Sequence, residues 1–257
     1  MEKTYDIIIW GASGFTGRLV VDYFCHSQSN TNLAWAVAGR NETKIKEVLK
    51  GRDIPVIIAD SHDKDSLNDL VKKTKVILTT VGPYARYGSK LVEACAENGT
   101  HYCDLTGEVH WMRHMINKYQ LIAKESGAKI VHTCGFDSIP SDIGVFFLQK
   151  NMREMHGVNA KQIKYRTRGF SGGASGGTVD SLMSMMEEAK KDPSIFKIIS
   201  NPYSLNEKNT GLDGPDKMSP YFDKDFNAWV GPFIMAGINT RVVRRTNELL
   251  DYIYGQD

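Results

Sequence analysis

Short apolar runs alternate with amphipathic stretches along the first half of the chain, and that alternation sets the expected fold. Tyr5 to Trp10 is a nearly unbroken apolar run around Ile7, Ile8 and Ile9, the pattern of a strand buried on both faces. Phe15 to His26 has helical spacing, with Leu19, Val20, Tyr23 and Phe24 expected on one face. The same alternation predicts strands over Leu33–Val37, Ile54–Ile58, Lys75–Thr79, His101–Asp104 and Lys129–His132. Helices are predicted over Glu42–Leu49, Lys64–Lys72, Ser89–Glu97 and Val109–Glu125. Strands alternating with helices imply a parallel sheet covered on both sides, so the fold class is α/β, a Rossmann-type doubly wound sheet.

The pattern changes near Gly135. A turn-rich segment, Gly135 to Pro140, leads into a helix expected to run to about Met152. Gln162–Arg168 alternates like an exposed strand, Gly169–Gly177 is rich in glycine and serine, and Val179–Lys191 reads as helix. Asn201–Ser219 is polar and broken by Asn, Gly and Pro, which predicts a long loop. The change of pattern places a domain boundary between residues 1–134, the alternating half, and residues 135–257.

Composition narrows the function classes. The 257 residues are 41% apolar and 24% charged, an ordinary globular balance. With 32 basic and 30 acidic residues the net charge is +2, so the basic excess of a nucleic-acid binder is missing. The cysteines at 25, 95, 103 and 134 form no CxxC pair. No metal site is predicted, and thiols kept reduced in an intracellular, cytoplasmic setting are the simplest expectation. The longest apolar runs are far below the ~20 residues of a membrane-spanning helix. Peripheral contact with a membrane or lipid needs no such helix and stays within the expectation.

Gly11–Ala12–Ser13–Gly14–Phe15–Thr16–Gly17 directly follows the first strand and opens the first helix. A dinucleotide pyrophosphate binds at that place, on free backbone N–H groups at the positive end of the helix dipole. The spacing is GxxGxxG rather than GxGxxG; the alternative is a tight strand-to-helix turn without ligand. Gly11, Ser13, Gly14, Phe15, Thr16 and Gly17 are the predicted phosphate contacts. Arg40, just past the second strand in Ala38–Gly39–Arg40–Asn41, stands where an acidic residue would favour NAD. A guanidinium there pairs with a 2′-phosphate, which predicts NADP(H); a solvated charge is the alternative. Lys44 is a second, weaker candidate. Asp60 either receives the adenine amine or caps the next helix with Ser61. Thr80, Gly82 and Pro83 follow the fourth strand, where the loop would pass the cofactor. Tyr84 either reaches the nicotinamide or packs in the loop.

These and further blocks resemble the saccharopine dehydrogenase-like oxidoreductase family. The blocks are GASGFTGRLV (11–20), AGRN (38–41), TTVGPYARYGSKLVEACAENGTHYCDLTGE (79–108), CGFDSIPSDIG (134–144), SGGTVDS (175–181) and GPFIMAGINTRVVRRTN (231–247). The resemblance implies an NADP-linked, dinucleotide-binding Rossmann domain, 1–134, followed by a second α/β domain, 135–257, for substrate binding or dimerisation. Its most similar members resemble trans-acting enoyl reductases of bacterial glycolipid assembly and animal homologues associated with lipid droplets or membranes. Such members continue beyond the point where this chain stops, so the resemblance implies a C-terminally truncated form with an incomplete second domain. The implied activity is NADPH-dependent reduction of an unsaturated acyl or lipid-like substrate. An imine or opine-type reductase and a non-catalytic NADP-binding module are the alternatives, and a homodimer is one expected assembly.

Reduction also needs a proton donor. Tyr84, His101, Tyr102, His132, Asp137 and Ser138 are candidates, although His101 and His132 read more readily as satisfied structural histidines and Asp137 or Ser138 as the N-cap of the following helix. Glu108 reads as a first-turn charge of its own helix, and Asp104 as a tie for the next loop. The glycines at 172–177 before a helix would suit a substrate anion, or form a connector with Thr178 as N-cap. Met183, Met185 and Met186 read as core filler, and Arg241, Arg244 and Arg245 as a solvated basic face.

Overall fold

A computed structural model describes residues 3–27, 32–136, 138–169, 176–208, 210–214 and 216–256. It divides into two compact units. The first holds Met1–Cys134 with Gly176–Ser184, and the second Gly135–Ser175 with Met185–Asp257.

The first unit runs β1 (Tyr5–Trp10), α1 (Phe15–Ser27), β2 (Trp35–Gly39), α2 (Glu42–Leu49), β3 (Val56–Ile58), α3 (Lys64–Lys72), β4 (Thr74–Thr79), α4 (Tyr84–Tyr87), α5 (Ser89–Glu97), β5 (His101–Cys103), α6 (Val109–Ser126) and β6 (Ile130–Val131). The strands form one parallel sheet in the order β3-β2-β1-β4-β5-β6. That order is the Rossmann arrangement, whose ligand crevice lies beyond the carboxyl ends of the strands where the order reverses, between β1 and β4. Ile8 pairs with Ala36 of β2 and Ile77 of β4, and all three are fully buried. Each such aliphatic side chain contributes about 1.5–3 kcal/mol by leaving water.

Local signals set the helices. The Asn41 side chain accepts from the Lys44 amide to start α2, and Asp63 accepts from Asp65 and Ser66 to start α3. In α1 the expected face is corrected: Leu19 and Tyr23 are exposed, whereas Gly17, Val21 and Phe24 are buried. Gly17 presses on the β1–α1 turn and so sets the rotation of the helix.

The second unit contains α7 (Ile139–His156), α9 (Ser194–Ser200), the antiparallel pair β7 (Tyr221–Asp223) and β8 (Ala228–Val230), and α10 (Ala236–Leu249). Helix α8 (Gly176–Lys191) contributes to both units. The strand expected over Gln162–Arg168 does not form. Lys164 and Arg166, on one face of that alternation, instead reach Asp223 at 3.2 and 2.7 Å. Among the described residues no helix is long and apolar enough to cross a membrane.

Candidate functional site: a dinucleotide crevice

The β1–α1 turn can be made only by glycine at its key positions. Gly11 has φ +92°, and a Cβ there would sit 2.5 Å from Val81 Cγ2. A Cβ on Gly17 would sit 2.1 Å from the Gly11 carbonyl oxygen. The turn is pinned by Gly11 N donating to Ala38 O at 2.9 Å and Gly14 N to Gly11 O at 3.0 Å. Helix α1 starts at Phe15, so the amides of Phe15, Thr16 and Gly17 fall in its first turn, where helices lack carbonyl partners. Ser13 and Thr16 are half-exposed and Phe15 is exposed. The arrangement is a tight glycine turn that leads into unpartnered helix-start amides beside the strand-order reversal.

Arg40 lies one residue past β2, exposed, and forms no hydrogen bond or ion pair with the described residues. Its guanidinium is uncommitted at the edge where the adenosine end of a dinucleotide lies. Lys44 is exposed on α2. Asp60 lies past β3, and its carboxylate accepts from the His62 amide at 2.8 Å. The α3 cap is Asp63, so the capping alternative for Asp60 and Ser61 is corrected.

On the other side of the reversal, Thr80 N donates to Trp10 O at 3.0 Å, tying the β4 end to β1. Gly82 is exposed and is joined to buried Pro83 by a cis peptide bond. Tyr84 does not line an open cleft. It is buried, stacks against Trp111 with ring centroids 5.5 Å apart, and donates its hydroxyl to Thr79 O at 3.3 Å. Burial pushes its phenol far above the ordinary tyrosine range.

Glu108 is a correction. It is buried and does not serve α6. One carboxylate oxygen accepts from Tyr84 N and from the Ser181 hydroxyl, both at 2.9 Å, and the other accepts from Ala85 N at 2.8 Å. It therefore holds the first amides of α4 and carries the loop from β4. The signal was invisible in sequence because the amides lie more than 20 residues earlier.

Asp104 is the hub of the β5 and β6 ends. Its Oδ1 accepts from Thr106 N at 3.0 Å and Thr133 N at 2.9 Å. Its Oδ2 accepts from the Tyr102 hydroxyl at 2.9 Å and lies 2.7 Å from His132 Nδ1. The imidazole is further fixed edge-on to Trp111 and Tyr102, at centroid distances of 5.0 and 5.8 Å.

The remaining candidates fall on other elements. Ser138 is the N-cap residue of α7 but makes no capping bond; its hydroxyl donates to Asn239 Oδ1 at 2.8 Å inside the second unit. Asp137 lies outside the described residues, as do residues 170–175 of the glycine-rich stretch. Gly176, Gly177 and Thr178 form the first turn of α8, so Thr178 is not its cap. Met183 and Met186 are exposed, not core filler. The basic run is not a solvated face either. Arg241 is buried against Asp216 at 3.0 Å, Arg244 pairs with Asp213 at 2.7 Å and Arg245 with Glu248 at 2.9 Å.

Residues 7–131 match the model of the saccharopine dehydrogenase NADP binding domain. A trans-acting enoyl reductase of Mycobacterium ulcerans is 36% identical over 272 residues, which cover 99% of this chain and 64% of that protein. A Mycobacterium tuberculosis relative, given the same name in provisional form, is 37% identical over 267 residues, 99% of this chain and 63% of its own. The chain thus spans under two thirds of the length of these curated relatives. A solved saccharopine dehydrogenase (L-Glu forming) of Saccharomyces cerevisiae aligns with 60% of this chain and 32% of its own at 16% identity and a TM-score of 0.42. What the match shows of this chain is a segment, residues 7–131, similar to that NADP binding domain.

Proposed function

We propose that this chain is an NADPH-dependent oxidoreductase that reduces an unsaturated acyl or lipid-like substrate in lipid or glycolipid metabolism, as the names of its relatives suggest. The observation that carries the reading is the glycine cradle joined to an uncommitted Arg40 within a matched NADP binding domain. The bound nucleotide supplies the hydride. The amides of 15–17 hold its pyrophosphate, Arg40 its 2′-phosphate, Asp60 faces the adenine side, and the Thr80–Pro83 loop runs past the nicotinamide side.

His132 is the residue best suited to supply the proton. It stands at the end of β6, three strands from β1, or about 14 Å along the crevice edge at the usual strand spacing. Asp104 fixes its Nδ1, and its Nε2 has no hydrogen-bond partner among the described residues. The Tyr84 and Ser138 hydroxyls, by contrast, are engaged.

Fluorescence titration tests the cofactor. The native chain is expected to prefer NADPH to NADH, and Arg40→Ala to weaken NADPH by about 10- to 100-fold, the worth of a charge-assisted hydrogen bond. Equal affinity for both nucleotides in the native chain would defeat the Arg40 assignment. Panels of enoyl thioesters and imino acids then test the substrate. NADPH consumption with imino acids alone would make the chain an imine or opine-type reductase. Tight binding with no consumption would make it an NADP-binding module. His132→Gln should keep NADPH affinity and lower turnover by about 10²- to 10⁴-fold, the usual worth of a general acid; unchanged turnover would exclude the role. Four free cysteines support an intracellular, cytoplasmic location. Homodimerisation and lipid association belong to the same reading, and the exposed Ile143, Phe147 and Met155 of α7 give either an apolar surface.

A further inference from the structure

Two of the four cysteines meet at the carboxyl edge of the sheet. Cys103 is the last residue of β5, paired in register with Val131 of β6. Three hydrogen bonds then clamp the chain after β6 onto the chain after β5. Asp104 N donates to Val131 O at 3.3 Å, Thr133 N to Asp104 Oδ1 at 2.9 Å, and Cys134 N to Asp104 O at 2.7 Å. Thr133 takes a left-handed φ of +59° that turns the chain back. The Cys134 sulfur lies 3.5 Å from Val131 O, over the residue that Cys103 pairs with. The clamp thus holds Cys103 and Cys134 side by side at the β5–β6 edge, and both are half-buried, neither sealed nor fully exposed.

We propose that Cys103 and Cys134 form a site of reversible oxidation, at which a hydroperoxide converts the dithiol into a disulfide joining the ends of β5 and β6. The Cys103 thiolate attacks hydrogen peroxide, an S–O bond forms, the O–O bond breaks, and the hydroxide released takes up the proton that Cys103 gave up and leaves as water. The Cys134 sulfur then attacks the resulting sulfenic acid. An S–S bond forms, the S–O bond breaks, and the departing hydroxide takes the Cys134 proton. Two thiols lose two electrons and the peroxide becomes two waters.

Cys103 is the attacking sulfur: the neighbouring Cys134 thiol lowers the Cys103 thiol from its ordinary range, whereas Cys134 is raised and its sulfur donates toward the carbonyls of Val131 and His132. The other two cysteines lack this arrangement. Cys95 is fully buried in α5, where desolvation raises its thiol, and Cys25 lies on α1. The clamp matters because the bridge would join residues already held together, so little backbone movement is required. It would also fix the turn that carries His132.

The test uses the whole chain. Reduced protein is treated with hydrogen peroxide, denatured, alkylated and weighed, then digested after lysine, arginine and glutamate. Cleavage after Glu97 separates Cys95 from Cys103. The alkylatable thiols are expected to fall from four to two per chain, with one linked peptide pair containing Cys103 and Cys134, and dithiothreitol is expected to restore all four. Cys134→Ser should abolish the bridge and leave a sulfenic acid on Cys103 that dimedone traps. Four alkylatable thiols after treatment, a bridge to Cys25 or Cys95, or oxidation of Cys103 straight to the sulfinic acid in the native chain would each overturn the proposal. None of these readouts depends on NADPH or on substrate.

Discussion

The first unit rests on buried apolar strands, with its polar hubs gathered at one edge of the sheet. The second rests on buried polar side chains bonded to one another and to backbone. In the first, Ile8, Ile9, Val37 and Ile77 are fully buried along neighbouring strands. In the second, Arg241 bonds to Asp216 and to the carbonyls of Asn201, Ile199 and Gly237. There Asn239 joins Ser138 to Ser141, and Gln149 exchanges two hydrogen bonds with the Ala160 backbone. An apolar core tolerates loss of one side chain by partial collapse, whereas a buried polar network loses a partner for every group it leaves behind.

Paired truncations test that contrast most strongly. Arg241→Ala should cost the second unit about 3–5 kcal/mol, because Asp216 and several carbonyls are left unpaired. Ile9→Ala should cost the first unit about 2–5 kcal/mol through lost transfer and a cavity. Trp229, the one tryptophan of the second unit, reports the former in urea, and amide exchange in β1 the latter. The comparison is broken if Arg241→Met proves as stable as the native chain while Arg241→Ala loses only what a lost apolar stem would cost.

The same contrast explains what the sequence made legible. Buried parallel strands leave unbroken apolar runs, and α3 and α5 fall where their spacing places them. The glycine turn was legible because the missing side chain is itself the signal: at Gly11 and Gly17 no Cβ fits. The face of α1 was misread because packing of Gly17 on Gly11, not side-chain hydrophobicity, sets its rotation. The second unit gave little warning. The partners of Arg241 and Arg244 are Asp216 and Asp213 in an aperiodic loop, so a run of arginines looked solvated. The alternation of 162–168 is real, but it is used by Lys164 and Arg166 to reach one carboxylate rather than by backbone pairing.

Glu108 sharpens the comparison with a smaller effect, since it is a polar hub within the apolar unit. Glu108→Ala removes the acceptor of two amides and one hydroxyl. The expected cost is about 1–3 kcal/mol, the penalty for buried donors left unsatisfied. Glu108→Gln keeps an acceptor and should cost less. NADPH affinity should fall more than core stability in the alanine variant, because the loop after β4 is what Glu108 anchors. Titration alongside a urea midpoint measures both. Equal costs for the two variants would mean that the carboxylate is not acting as an acceptor.

The smallest effect concerns Asp223, where the polar architecture of the second unit becomes pH-sensitive. Desolvation alone would raise this carboxyl, yet Arg166, Lys164 and the Asp225 amide outweigh it and hold it at about 2. The folded value thus lies below the ordinary 3.8. In that window the unfolded chain binds the proton more tightly, so the contribution is complete above about pH 4 and is lost as pH falls toward 2. Trp229 lies in β8, opposite Phe222 of β7 and edge-on to it at 6.0 Å. Its fluorescence should therefore report loosening of β7 and β8 between about pH 4 and 2 in the native chain, and Asp223→Asn should flatten that dependence. An unaltered acid profile in the variant would show that the two cations are held by something other than this carboxylate.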